Sequence, residues 1–395
     1  MDLKYQFIRQ LIIILFLIPS FSFSGLAQTD FTEIDQHVRL TPDSLETDIA
    51  LLSQYLVAPA KSDLEKVRSI YRWLIWNISY DHKAYRDGNR RINRSNEDIL
   101  KRKEAICWGF ATLFKAMCEK IGISSEIISG YGRTSSDTKP HLETPNHAWN
   151  SVKIEEQWYL LDATWDSGNL GNKGAFELKY GYNYFLTPPK YFIVNHLPAD
   201  PDWQLLDCSI SIEEYQLSAE EIILLAERTG CKKENGLINS ENSLVDDKRL
   251  NSAVKAYKYN PTKSNQRELA HAQLDYEAYL TEIAERLQVE QKIDSLLLVQ
   301  TEMIRLCEIA SGLTKLYDTQ LENCAYNYFN HAVALTQNLS NEVALNLVEW
   351  QHILSLLEKA SLQLQQLPQN IITQNALSNC EEYIDYVKKN IKSLK

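Results

Sequence analysis

KEAICWGFATLF (residues 103–114) decides the fold of the region around it. After Cys107 the apolar residues Phe110, Leu113 and Phe114 continue to Met117 and Ile121 at helical spacing. Gly122 then stands where a helix C-terminus favours a left-handed residue. The cysteine is therefore expected at the first turn of a helix. There the unpaired backbone N–H groups and the helix dipole favour an anion, and the same groups can receive an oxyanion. Beyond Gly122 the apolar period changes to two, so Ser125 to Tyr131, His147 to Ile154 and Trp158 to Trp165 read as strands. A cysteine-led helix followed by an antiparallel sheet is an α+β layout.

Two of those strands carry groups that suit a thiol. NHAWNSV (residues 146–152) contains His147, and WYLLDATWD (residues 158–166) contains Asp162. Glu155-Glu156 is a fitting two-residue connection, which sets Asp162 opposite Trp149. His147 shares a face with Trp149 and becomes a diagonal neighbour of Asp162. A register slip of one residue puts the pair on opposite faces. A thiol attacks as thiolate, and an imidazole backed by a carboxylate is a common way to hold one.

The three segments resemble the transglutaminase-like superfamily, papain-related cysteine enzymes that make or break amide bonds. The likeness runs from about Lys66 to Leu206. It opens on VRSIYRWLIWNISYD (residues 67–81) and closes on YFLTPPKYFIVNHLPADPDWQLL (residues 184–206), a tail typical of bacterial members. The resemblance implies a papain-like core, the nucleophile helix packed on an antiparallel sheet. It makes Cys107 the nucleophile, His147 the general base and Asp162 the orienting carboxylate. Ala105 stands where the family often has Gly. The implied reaction is acyl transfer through a thioester, resolved by water or by a primary amine. Hydrolysis of a peptide or amide bond is expected ahead of protein-glutamine gamma-glutamyl transfer, since a single open loop, Arg133 to Pro145, offers little to exclude water. A silent binding module on this fold, or an adaptor working through its C-terminal helices, are the alternatives.

Other residues near the three segments invite roles. Trp149 and Trp165 are candidates for a substrate-binding wall, and core packing explains them equally well. Tyr80 and Asp81 match a family segment near the site and are expected to form a helix-ending turn. His141 and His196 have no sequence partners at metal-ligand spacing and are read as surface residues. No metal or cofactor is expected: there is no calcium-binding loop, and no CxxC to suggest structural zinc.

At 395 residues the chain has room for two domains. The expected organisation is a signal peptide over 1–27, an N-terminal lead over 28–60 and a catalytic domain over 61–207. A linker over 208–249 and an all-α helical bundle over 250–395 follow. Past Pro261 the bundle region has one proline, Pro368, and recurring helical stripes such as Tyr276, Leu280, Ile283 and Leu287. The stretch 1–27 has a basic start (Lys4, Arg9), the apolar run LIIILFLI and small residues at Gly25-Leu26-Ala27. That layout points to export, hence a secreted or periplasmic protein. Seven cysteines suit that compartment, and the odd count leaves at least one thiol without an intrachain partner. A net charge of −11 disfavours nucleic acid and anionic lipid, leaving a protein or peptide substrate and, for the helical domain, a protein partner.

Overall fold

The computed structural model describes residues 29–86, 95–134, 137, 139–167, 184–231, 247–342 and 345–395. The expected signal peptide lies outside them, as do residues 87–94 and 168–183. The described residues fall into two compact units, Met1–Ser124 with Ile154–Glu156, and Ser125–Lys153 with Gln157–Lys395.

The first unit is helical. It runs through α1 (Thr32–Arg39), α2 (Ile49–Leu56), α3 (Asp63–Asn77), β1 (Ser79–Tyr80), α4 (His82–Arg86), α5 (Asn96–Arg102), β2 (Glu104–Ala105) and α6 (Cys107–Lys120). Helix α1 lies in a stretch whose polar composition gave no helical stripe, since only Ile34 and Val38 turn inward. Ser62 caps α3 by accepting from the Glu65 N–H. Helix α6 packs against α2, α3 and α5. Its Phe110, Leu113, Phe114 and Met117 are buried, whereas Ile121 falls just past the last turn as C-cap. Gly122 takes the left-handed φ of 74° expected of it.

The second unit holds the four-stranded sheet: β3 (Ser125–Gly132), β4 (His147–Ile154), β5 (Gln157–Leu161) and β6 (His196–Pro198), in the order β5-β4-β3-β6. Between β5 and β6 lie the short helices α7 (Ala163–Asp166) and α8 (Pro189–Phe192). Glu155 and Glu156 form the β4–β5 turn with φ of 47° and 65°. Both central residues of a type I′ turn need positive φ, and here two non-glycine residues accept it. Strand β3 is central, pairing antiparallel with β4 and with β6.

The stretch expected as a linker begins as folded structure. Ile210, Tyr215 and Ile222, the last on α9 (Ala219–Ala226), are buried in a cluster with Tyr131, Ile193 and Leu197. Cys208 is bonded to Cys231. Residues 232–246 lie outside the described set.

Six helices follow among the described residues: α10 (Lys248–Tyr259), α11 (Lys263–Val289), α12 (Ile293–Leu313), α13 (Asp318–Glu342), α14 (Leu347–Leu364) and α15 (Ile371–Ser393). In α10 the stretch AVKAYKYNP (residues 253–261) forms most of the helix, which Asn260-Pro261 closes. Each helix packs chiefly on its neighbours in sequence. Successive apolar clusters span α10–α12, α11–α13 and α12–α15. The result is a row of helices with overlapping cores. A second disulfide, Cys307–Cys324, ties α12 to α13. Among the described residues no helix is long and apolar enough to cross a membrane.

Candidate active site

Cys107 belongs to the first unit, and its position is set by the pairing just before it. Ser79 and Tyr80 pair in parallel with Glu104 and Ala105, and the Asp81 N–H donates to the Ala105 carbonyl at 2.9 Å. Tyr80 and Asp81 thus do not end α3 as a turn. Tyr80 closes the short strand β1, Asp81 follows it, and together they anchor the backbone two residues before the thiol; buried Asp81 then accepts from the Ala84 N–H. Ala105 sits in extended backbone and is not among the positive-φ residues, so this position makes no demand for glycine. Cys107 opens α6, with Ile106 as an N-cap that supplies no side-chain acceptor. Its thiol is free and half-buried, and the next residue, Trp108, is 42% exposed. The other free thiols, Cys118 and Cys380, are buried. Burial pushes Cys118 far up and Cys380 up to about 11.

In the second unit the sheet brings two imidazoles to one carboxylate. Gly130 of β3 faces His147 of β4 on one side, and Gly132 faces His196 of β6 on the other. Residues 130 and 132 share a face, and paired residues point the same way. A side chain at Gly130 would stand 2.4 Å from the Trp149 ring and 2.3 Å from the Leu197 carbonyl oxygen. One at Gly132 would stand 3.1 Å from His147 Cβ. Two glycines therefore leave the face bare where the rings gather.

Asp162 is not in a strand, as the alternation suggested. Strand β5 ends at Leu161, and Asp162 caps α7, its Oδ1 accepting from the Thr164 and Trp165 N–H groups at 2.8 and 3.2 Å. Its Oδ2 lies 2.7 Å from His147 Nε2 and 3.0 Å from His196 Nε2. Asp162 is 1% exposed. Burial pushes its carboxyl toward the neutral form, but the charge and hydrogen bond of His147, with the bond from His196, hold it well below the usual carboxylate range. With the Nε2 proton given to Asp162, the basic nitrogen of His147 is Nδ1.

His196 is a correction to the sequence reading. It is 1% exposed, not on the surface, and its ring packs among Phe192, Trp165, Trp149 and Tyr184 at centroid distances of 4.2 to 5.1 Å. One signal was available in the sequence: Asn195-His196 is a polar pair inside the apolar run IVNHLP, and buried polar groups come with partners. His141 is exposed. Trp149, 1% exposed, packs on Phe192 and His196 and is a core residue. Trp165 is half-buried and stacks on His147 at 5.2 Å.

Donor atoms of His147, Asp162 and His196 lie within 4.8 Å of one another, a span that a metal ion can bridge. The two nitrogen–oxygen separations are hydrogen-bond lengths, and Asp162 Oδ1 is engaged by backbone N–H groups. The cluster therefore reads as a hydrogen-bonded set.

Burial also holds His196 down to about 4, the Asp162 bond opposing it and His147 adding to it. A free imidazole titrates near about 6.5. Between these values the unfolded chain binds more protons, so the stability from the neutral ring is fully present above about pH 6.5 and lost as pH falls toward 4. His331 on α13, brought to about 4 by burial and then by His352, acts in the same direction. The depressed carboxyl of Asp162 gives up its share only below about pH 3.9, the unfolded value. The expected loss from His196 is about 3 kcal/mol across that window. Denaturant midpoints at set pH values test it, and a flat profile from pH 7 to 4.5 contradicts a neutral buried His196.

Residues 51–163 match the model of the transglutaminase-like superfamily. Kyphoscoliosis peptidase of Mus musculus is 35% identical over 169 residues, covering 41% of this chain and 25% of that protein. Hillarin of Drosophila melanogaster is 25% identical over 204 residues, covering 47% of this chain and 24% of its own length. The chain thus spans about a quarter of the length of these curated relatives. Among solved structures, the crystal structure of a TGase is similar with a TM-score of 0.27 and 17% identity, covering 46% of this chain and 43% of that one.

Proposed function

We propose that this chain, whose residues 51–163 form a transglutaminase-like core, is a cysteine enzyme that opens amide or peptide bonds through a thioester on Cys107. The observation that carries the reading is the 2.7 Å bond from buried, ionised Asp162 to His147 Nε2, which leaves Nδ1 as the base. In the proposed reaction His147 Nδ1 takes the proton of the Cys107 thiol, the thiolate sulfur attacks the carbonyl carbon, and the C–N bond of the tetrahedral intermediate breaks as the carbonyl re-forms. His147 gives its Nδ1 proton to the departing amine. Water then attacks the thioester, His147 takes a proton from it, and the carbon–sulfur bond breaks to return the thiolate.

Hydrolysis is favoured over transfer to an amine, because no lysine-binding feature was legible beside the loop Arg133 to Pro145. Part of that loop, at 135, 136 and 138, lies outside the described residues. Export accounts for the two disulfides, Cys208–Cys231 and Cys307–Cys324, which persist in oxidising compartments. In this reading the substrate is a protein or peptide, Trp165 lines the substrate path, and the helical row offers a surface to a protein partner.

Two measurements test this. Iodoacetamide labelling of the native protein, mapped by mass, is expected to mark Cys107 and spare Cys118 and Cys380. A glutamine peptide library, offered with and without a labelled primary amine, is expected to give mainly hydrolysed product. Efficient amine incorporation overturns the preference for water. No turnover in either arm, with Cys107 reactive, supports a binding module.

A further inference from the structure

The thioester chemistry calls for one imidazole, and the site contains two. His196 lies beyond the matched residues 51–163, on a strand reached from β5 through α7 and α8. Its Nε2 and that of His147 meet the same oxygen of Asp162. We propose that His196 is a positioning residue, which donates its Nε2 proton to Asp162 Oδ2 and so fixes the carboxylate in the orientation that holds the proton of His147 on Nε2. The proposal deepens the cysteine-enzyme reading and rests on it.

Three observations support it. First, the carboxylate is divided between two tasks. Oδ1 is committed to the backbone N–H groups of α7, so Oδ2 alone faces the rings. A carboxylate oxygen accepts well along two lone-pair directions, and two ring N–H donors pin both. With the second donor gone, Oδ2 can swing relative to His147 without losing the cap, and a buried anion loses a partner among aromatic walls.

Second, hydrogen bonding continues outward from His196. Asn195 Oδ1 lies 2.7 Å from His196 Nδ1, and Asn195 Nδ2 donates to the Tyr184 hydroxyl at 2.7 Å. A neutral ring that donates from Nε2 must accept at Nδ1, so the proposal requires the Asn195 amide turned end for end, its nitrogen toward the ring and its oxygen toward the Tyr184 hydroxyl, an exchange that leaves both contacts in place. Burial favours that neutral ring. With the amide so turned, donation runs from Tyr184 through Asn195 and His196 to Asp162.

Third, the ring cannot turn away. It is 1% exposed, and Phe192 and Trp165 lie 4.2 and 4.3 Å from its centroid. Strand β6 sets its height by pairing His196 with Gly132, two residues along β3 from the partner of His147.

The test reads ring protons and thiol reactivity together. In the wild-type protein, 15N NMR of labelled histidines at pH 7.5 is expected to find His196 as a neutral Nε2–H ring and the proton that His147 shares with Asp162 on Nε2. In His196→Phe, which keeps a flat ring and removes the donor, His147 is expected to populate both tautomers. Alkylation of Cys107 is expected to slow about tenfold. His196→Gln, which retains an N–H donor, is expected to restore most of the rate and the single tautomer, an outcome that a merely structural role does not give. A His147 signal and Cys107 rate unchanged in His196→Phe overturn the proposal. A wild-type His196 protonated on Nδ1 alone also overturns it, even if the variants fail to fold. His147→Ala is the separate control: an unchanged Cys107 rate there overturns the cysteine-enzyme reading itself.

Discussion

Cys107→Ala is expected to abolish turnover, by about a million-fold in kcat where a residual rate can be read at all. The same change should leave the fold almost untouched. Position 107 is half-buried at the first residue of α6, its side chain caps nothing, and alanine is the best helix former. A stability change within about 0.5 kcal/mol is expected. Native labelling by iodoacetamide should vanish with it, because Cys118 and Cys380 are buried with raised thiol pKa values, and the other four cysteines are paired. The checks are single-turnover kinetics on the best library peptide, a thermal melt and a mass spectrum after alkylation. Turnover that survives the change removes Cys107 from the mechanism.

Asp162→Asn is expected to cost both activity and stability. An amide has one acceptor oxygen, yet Asp162 offers an oxygen to α7 and another to two ring N–H groups. If the amide oxygen keeps the cap, its NH2 group meets His147 and forces the imidazole to accept at Nε2, which moves the proton to Nδ1. The basic nitrogen is then lost, and a wrong tautomer of this kind lowers kcat by about 10⁴. If the amide turns the other way, α7 loses its cap. Either outcome leaves a buried donor facing a donor, at about 1–3 kcal/mol. The measurements are kcat and the denaturant midpoint on the same preparation. A variant with wild-type kcat rules out the orienting role of Asp162.

Much of this arrangement was legible in the sequence, for identifiable reasons. Helix α6 was readable from its apolar stripe, and strand β4 from the period-two order of its residue types, although residues 148–152 are all buried. The hairpin followed from a two-residue gap between alternating runs. Asp162 was found, but its setting was not: DATWD continues the apolar alternation of β5 while an aspartate is also a good cap, and the cap prevailed. His196 was missed because its partner is 34 residues away and reaches it only through the pairing of β6 with β3. No spacing rule sees a contact made by sheet topology. The helical region past residue 250 was read from its recurring apolar stripes. The stretch after 207 looked like a linker because its buried residues, such as Ile210, Tyr215 and Ile222, are spread thinly among polar ones.

Asp162 is at once a cap and a partner to two imidazoles, whereas Cys107 carries no structural duty. Loss of function therefore has an uneven geography in this molecule. A descendant released from selection for turnover can discard the thiol at once and remain folded, but it is obliged to keep the aspartate, and with it the pressure to keep both rings. A histidine–aspartate pair in a diverged homologue is then a relic as readily as a sign of activity. The cysteine is the residue whose presence tells the two apart.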